Sequence, residues 1–389
     1  MIKAFVRFFL PLGIAATSCA LEAKDDANEL LSSRFELLLT HPVEERGIPR
    51  SYSPETGELE VTSSRAWTSG FFPGNLWLVY RLTGDAAYAE KAEEWTALLE
   101  REQLNGRDHD IGFRMGSSFG LGYRLTGQEA YEAVIVQSAR TLCTRFSDTV
   151  GSIRSWGASK SQWQYPVIID NMMNLELLFE AWKLSGDERF YEVAVRHANA
   201  TLKNHFRADG STFHVVDYDP ETGVARQKNT HQGFSDESAW ARGQAWAIYG
   251  FTMAYRYTKD ERYLAQARKT ARFFLQHPRL PEDGIPYWDF DDPKIPNVPR
   301  DSSAAAIVCS ALYELYGATE EGYFLEQAKR LLESLQSKAY VLDASLEIPF
   351  LLDKSTGNLN KQSEVEVPIT YADYYLLEAL ARSRSLATR

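Results

Sequence analysis

Along the chain, apolar helical stretches alternate with amphipathic ones, and a short signature joins each pair. It reads Tyr80-Arg-Leu-Thr-Gly-Asp-Ala-Ala-Tyr88 and Tyr123-Arg-Leu-Thr-Gly-Gln-Glu-Ala-Tyr131, then Trp182-Lys-Leu-Ser-Gly-Asp-Glu-Arg-Phe190 and Tyr255-Arg-Tyr-Thr-Lys-Asp-Glu-Arg-Tyr263. A degenerate copy runs from Leu315 to Tyr323, so that successive copies start 43, 59, 73 and 60 residues apart. The Thr-Gly-Asp core ends one helix with a glycine suited to a left-handed turn, and the Asp caps the next. The aromatic residue closing each copy packs the new helix back onto the old one. Each signature is therefore the corner of an αα-hairpin.

Five hairpins are visible, and helical patterns near residues 27–39 and 371–383 together supply a sixth. Six hairpins closing on themselves form an all-α (α/α)6 barrel. An open solenoid needs polar end caps, whereas both terminal helices here have apolar faces, which favours closure. No Pro/Ser-rich linker interrupts the chain, so residues 21–389 read as a single domain. The long irregular stretches 44–69, 148–166, 208–237, 278–302 and 346–368 lie between hairpins, and a toroid gathers them at one mouth.

The first residues follow another pattern. Lys3 and Arg7 precede the apolar run Phe8–Ala16, and the small residues Thr17-Ser18-Cys19-Ala20 follow. This reads as an export signal over residues 1–20 and predicts a periplasmic protein; the run is too short to span a bilayer. Ala16-Thr17-Ser18-Cys19 resembles a lipobox, with Ala16 where Leu is usual, so lipid attachment at Cys19 stands beside simple cleavage. Cys143 and Cys309 lie in apolar helical contexts and read as buried thiols; no Cys/His spacing suggests zinc.

Charge narrows the partners. The 42 Lys+Arg against 53 Asp+Glu give −11, and loss of residues 1–18 with Lys3 and Arg7 leaves −13. Such a surface disfavours nucleic acid and admits an anionic small substrate only through a local basic pocket.

Candidate chemistry clusters in and beside the long stretches. Asp110, in His109-Asp-Ile-Gly-Phe113, opens an apolar helix and fits a helix cap. Asp170 stands between two apolar runs, as a cap or as a buried acid with a raised pKa suited to general acid catalysis. Asp209-Gly210 predicts a turn that projects His214 from a short strand. In Thr230–Trp246, Gln232 and other polar groups are packed among Trp residues; Arg242 and Trp246 share a helix face, Arg242 as a carboxylate clamp and Trp246 as a platform for a sugar ring. Arg300-Asp301 fits a structural ion pair, with Ser302 or Ser303 as a helix cap. Trp67, in Trp67-Thr-Ser-Gly-Phe-Phe-Pro-Gly74, adds an aromatic segment at the mouth.

Together these motifs, with Ile169-Asp-Asn-Met-Met-Asn174, Asp209-Gly-Ser-Thr-Phe-His214, Pro286-Tyr-Trp-Asp-Phe290, Arg300-Asp-Ser-Ser-Ala304 and Tyr371-Ala-Asp-Tyr-Tyr375, resemble the unsaturated glucuronyl hydrolases of glycoside hydrolase family 88 from about Ala66 to Leu380. The resemblance implies an (α/α)6 barrel and removal of the 4,5-unsaturated uronic acid that polysaccharide lyases leave at a non-reducing end. The implied reaction hydrates the C4=C5 vinyl ether, with no metal or organic cofactor required and a small unsaturated oligosaccharide as the only partner. It makes Asp170 the general acid/base and Asp110 the second essential carboxylate. His214, Gln232, Arg242 and Trp246 become substrate contacts, and Trp67 falls in a matching motif. Lys354 and Lys361, in the loop to Glu364, are candidate partners for a sulfate on the next sugar.

Three alternatives share parts of this pattern. An unsaturated rhamnogalacturonyl hydrolase has the same fold and hydration chemistry, but the His214 segment and Trp240–Trp246 favour the glucuronyl group. A polysaccharide lyase needs basic subsites for a polymer, which the charge balance disfavours. A non-catalytic sugar-binding protein has no use for both Asp110 and Asp170.

Overall fold

The computed structural model describes residues 30–157 and 162–387. Helix α1 spans 30–40. Pairs follow: α2 (Phe71–Thr83) with α3 (Ala86–Ala97), then α4 (Ile111–Met115) and α5 (Leu121–Thr126) with α6 (Glu129–Cys143). Next come α7 (Asn171–Ser185) with α8 (Glu188–Asn204), α9 (Ala241–Thr258) with α10 (Glu261–Gln276), and α11 (Ser302–Thr319) with α12 (Gly322–Leu335), before the closing helix α13 (Thr370–Ala387). A single π-turn at Gly116–Gly120 joins α4 to α5.

The fold is an (α/α)6 barrel. Helices α2, α4–α5, α7, α9, α11 and α13 pack side by side as an inner ring, and α13 closes it by packing against both α11 and α2. Inner helices are apolar nearly all round: α9 and α11 bury long unbroken runs. Outer helices such as α10 and α12 bury one stripe, as expected for elements with one face in water. Helix α1 buries Leu31, Phe35 and Leu38. Its buried Arg34 donates to the Asp343, Leu346, Ile348 and Phe350 carbonyls, which ties the last long loop to the N-terminal helix.

The corners form as the signature predicts. Gly84, Gly127 and Gly186 adopt left-handed φ of 75°, 69° and 70°, and Asp85, Asp187 and Asp260 cap the following helices. A further bond recurs in every copy: the Ser or Thr hydroxyl (Thr83, Thr126, Ser185, Thr258, Thr319) accepts the N–H two residues on. The fifth corner is displaced by one residue from the sequence reading. Its left-handed residue is Glu320, bonded back to the Tyr316 carbonyl, so the copy runs from Tyr316 and the aromatic that packs it down is the fully buried Phe324. Tyr323 misled because it sits next to the buried position.

The long stretches are less irregular than expected. They fold into β1 (Ile48–Ser53) with β2 (Glu58–Thr62), β3 (Phe146–Ser147) with β4 (Ser152–Ile153), and the antiparallel β5 (Tyr165–Ile168), β6 (Val215–Tyr218) and β7 (Ala225–Asn229). In the last sheet Ile168 pairs with Val215. That register holds Asp170 and His214, each just outside a strand, near one another. Cys143 and Cys309 are free thiols, Cys309 buried and Cys143 partly so. The export signal and Cys19 lie outside the described residues.

Candidate active site

Asp110 and Asp170 immediately precede α4 and α7, in the capping position, yet neither side chain caps its helix. At α4 the Phe113 N–H donates instead to Asn174 Oδ1 at 2.9 Å. At α7 the Met172 and Met173 N–H groups donate to the backbone carbonyls of Ile169 and Asp170. The capping role that the sequence allowed for Asp110 is thus not taken up. Both carboxylates line a cavity of about 200 Å³ together with Trp67, Asp108, Gln232 and Arg242.

Burial dominates the electrostatics. Desolvation raises Asp170 to about 6, against the pull of His109 and Arg242. Asp110 is raised by desolvation and then by the neighbouring Asp108 carboxylate, with Arg114 and Arg145 opposing. About 13% of the Asp170 side chain and 22% of the Asp110 side chain stay open, enough for a substrate atom to reach them. A carboxyl poised near neutrality can give and take a proton at working pH.

His214 is fixed by its backbone surroundings. Its Nδ1 accepts the N–H groups of His231 and Gln232, both at 3.1 Å. A ring nitrogen that accepts two N–H bonds carries no proton, so the other nitrogen, Nε2, carries it. That Nε2 lies 3.6 Å from Asp170 Oδ2. Burial holds the imidazole neutral, well below its usual pKa. His214 therefore turns an N–H toward Asp170 rather than acting as a base, and its side chain, 1% exposed, stands behind the cavity wall and not on it.

The remaining predicted residues divide. Gln232 and Trp67 line the cavity, and Trp67 packs against Tyr371 and Phe113. Arg242 also lines it, but both terminal nitrogens are engaged: Nη1 with Asp301 Oδ2 at 2.9 Å and with the Thr356 carbonyl, Nη2 with the Gly357 carbonyl. The ion pair expected between Arg300 and Asp301 does not form. Asp301 pairs with Arg242 and caps α11 itself, and Arg300 pairs with Asp283 at 2.6 Å. Trp246 is 1% exposed and packs beneath Phe113 and Tyr375, so the structure does not bring it to the cavity wall. Phe113 and Trp156 stand there instead.

Sequence reasoning missed Asp108, Trp156 and Asn174. The alternation Asp108-His109-Asp110 was a visible signal; Asn174 closes the motif Ile169–Asn174, but nothing local marked its reach to α4, 61 residues away. A second cavity of about 240 Å³ shares Trp67 and Gln232 with the first and adds Arg50, His231, Asn358 and Lys361. Lys354 lines neither; its ammonium lies 5.4 Å from the Tyr340 ring centroid. Among the described residues no group of three or more His, Cys, Asp or Glu is arranged to hold a metal ion.

A closed helical toroid with two uncapped, desolvated carboxylates under an aromatic mouth is the build of a glycoside hydrolase. The chain belongs to glycoside hydrolase family 88: the Glycosyl Hydrolase Family 88 profile matches residues 48–348. It is 54% identical over 357 residues, 92% of this chain and 89% of the relative, to the unsaturated glucuronyl hydrolase of Formosa agariphila. It is 36% identical over 326 residues, 81% of this chain and 85% of the relative, to the unsaturated glucuronyl hydrolase of Bacillus sp. (strain GL1). A crystal structure of an unsaturated glucuronyl hydrolase specific for heparin superposes with a TM-score of 0.91 at 40% identity, covering 95% of this chain and 98% of that one.

Proposed function

We propose that the protein removes the 4,5-unsaturated uronic acid from the non-reducing end of small oligosaccharides by hydrating its C4=C5 bond. One observation carries the reading: Asp110 and Asp170, both uncapped and both raised by burial, face the same cavity, which is of sugar-ring size. In the proposed reaction protonated Asp170 gives its proton to C4. Positive charge develops at C5, stabilised by the ring oxygen. Water adds at C5, and the Asp170 carboxylate takes its proton. The resulting hemiketal opens and releases the next sugar, leaving Asp170 protonated again. Asp110 is the second carboxylate of the site, facing the same ring. Gln232 offers hydrogen bonds to the substrate from the cavity wall, Arg242, held by Asp301, adds positive potential there, and His214 supports Asp170 from behind the wall.

The second cavity is suited to the next sugar. Lys361 at its rim is the proposed contact for a sulfate, and Lys354, turned toward Tyr340, is withdrawn from that role.

The test is loss of the ultraviolet absorbance of the conjugated double bond across a panel of unsaturated glycosaminoglycan and ulvan disaccharides. Wild type should consume at least one and Asp170→Asn none. Persistence of the absorbance with every member would overturn the reading. Lys361→Ala should slow sulfated substrates more than unsulfated ones; equal effects would remove it from selectivity. Residues 1–20 are proposed as an export signal. A mature N-terminus blocked at Cys19 would establish the lipid anchor, and one at Ala20 or beyond would exclude it.

A further inference from the structure

An Asp just before a helix ordinarily turns its carboxylate back onto the N–H of the second or third helical residue. Asp110 does not, and the place at the third residue is taken. The Phe113 N–H, third in α4, is bonded to Asn174 Oδ1 in a fully buried contact. The Asp110 N–H goes to Asp108 Oδ1 at 3.0 Å. Asn174 belongs to the first turn of α7, the helix that Asp170 begins.

Two features show that this contact is built. A Cβ added to Gly112 would lie 2.5 Å from both Asn174 Cα and Asn174 Oδ1, so only glycine lets the two helices approach this closely. Asn174 Nδ2 is buried without a hydrogen-bond partner among the described residues. Such an orphan costs about 1–3 kcal/mol, which an apolar residue would avoid. The asparagine is there for its acceptor.

We propose that Asn174 is a positioning residue: by capping α4 from the neighbouring helix, it keeps the Asp110 carboxylate off its own helix and turned to the reacting group. The inference rests on the proposed function only in placing Asp110 in the machinery. A carboxylate that caps gains an N–H bond and the positive end of the helix dipole, both favouring the ionised form. Left uncapped, Asp110 keeps its proton more readily. The other charged or titratable groups around it are Asp108 and His109 on its own segment, Arg114 one turn along, Arg145 beyond α6 and Asp170 at the start of α7.

The test compares Asn174→Ala with Asn174→Asp, which retains the acceptor. In Asn174→Ala the freed Phe113 N–H draws Asp110 onto its helix. Turnover should fall about tenfold, in the range of one misplaced acid–base group, while KM changes less than twofold. The Asp110 carboxyl, followed by ¹³C NMR and assigned with Asp110→Asn, should titrate lower than in wild type. Asn174→Asp should restore most of the turnover and titrate Asp110 higher than in wild type. If Asn174→Ala does not fold, Asn174→Ser, too short to reach Phe113, takes its place. An Asp110 titration unmoved in the Ala or Ser variant, with only thermal stability lowered, would overturn the proposal. The NMR readout does not depend on turnover, so failure of every unsaturated disaccharide would sink the functional reading and leave this test intact.

Discussion

The two mouths of the barrel are opposites. The larger opening, of about 700 Å³, is at the corner end, where all six inner helices finish. Its glutamates are matched. Glu176 lies 2.6 Å from Arg256, Glu314 2.9 Å from Arg382, and Glu378 3.3 Å from Arg382. Although burial alone would raise it, Glu176 is held below its usual pKa by Arg256, Arg124 and Arg382. The smaller loop-end cavity holds carboxylates that face histidines held neutral and an arginine already committed to Asp301. Two of its acids, Asp110 and Asp170, are raised. Cavity size does not locate the chemistry; carboxylates without matched cations do.

The comparison makes its strongest demand at the loop mouth. Asp170→Asn should lower turnover by about 10³-fold or more, as expected for loss of a general acid–base group, with no loss of thermal stability. A variant that kept its rate would dissolve the distinction between the mouths. At the corner mouth the reverse should hold. Glu378 accepts from Tyr249 at 2.9 Å and Ser310 at 2.6 Å besides pairing with Arg382. Glu378→Ala should cost about 3 kcal/mol in urea unfolding, the scale of breaking a buried pair, while activity per folded molecule stays within about twofold. Lost turnover with unchanged stability would mean that the two ends communicate.

Acid sharpens the contrast further. Burial holds His109 at about 4 against the pull of Asp170 and Asp108, holds His205 at about 4 against its bond to the Val167 carbonyl, and, with His205 and His109 beside it, holds His197 at about 3. Their folded values lie below the unfolded one, so as pH falls through about 6.5 the unfolded chain binds protons that the folded chain refuses, and stability drops. Asp170 opposes this: its folded value of about 6 exceeds that of a free carboxyl, so its contribution is lost as pH rises from about 4 to about 6. His197→Asn should flatten the fall in urea midpoint between pH 6.5 and 5 by up to about 1.4 kcal/mol per pH unit. An unchanged slope would place the acid sensitivity elsewhere, the corner-mouth pairs included. The smallest effect belongs to the corners. Glu320 holds a left-handed φ of 57° where three other corners use glycine. Glu320→Gly should stabilise by about 1 kcal/mol, and a loss would show that its side chain contributes more than its backbone costs.

What the sequence made legible follows the range of the interactions. The corners could be read because the left-handed residue, the cap and the packing aromatic all lie within nine residues. The barrel followed from counting them. Asp110 and Asp170 were legible as residues but ambiguous as caps, because the group that decides for Asp110, Asn174, arrives from another helix. Arg242 was read as a free clamp because Asp301, 59 residues on, gave no local sign of reaching it. The small sheets were hidden for a related reason: their partners, such as Tyr165 and Tyr218, are far apart in the chain and their strands are short.

The closing of the ring by α13 also sets an order of events. Its Arg384 donates to the Leu82 carbonyl at the end of α2, and Arg81 of α2 donates to Ser385. These contacts join the start of the barrel to its final turn. During synthesis every hairpin from α2 to α12 can form from neighbours already made, but until α13 emerges the assembly is an open arc. Its two unfinished edges, on α2 and α11, are apolar and unpaired. Helix α13 is thus the keystone, and synthesis halted before it emerges would leave an arc with both edges bare.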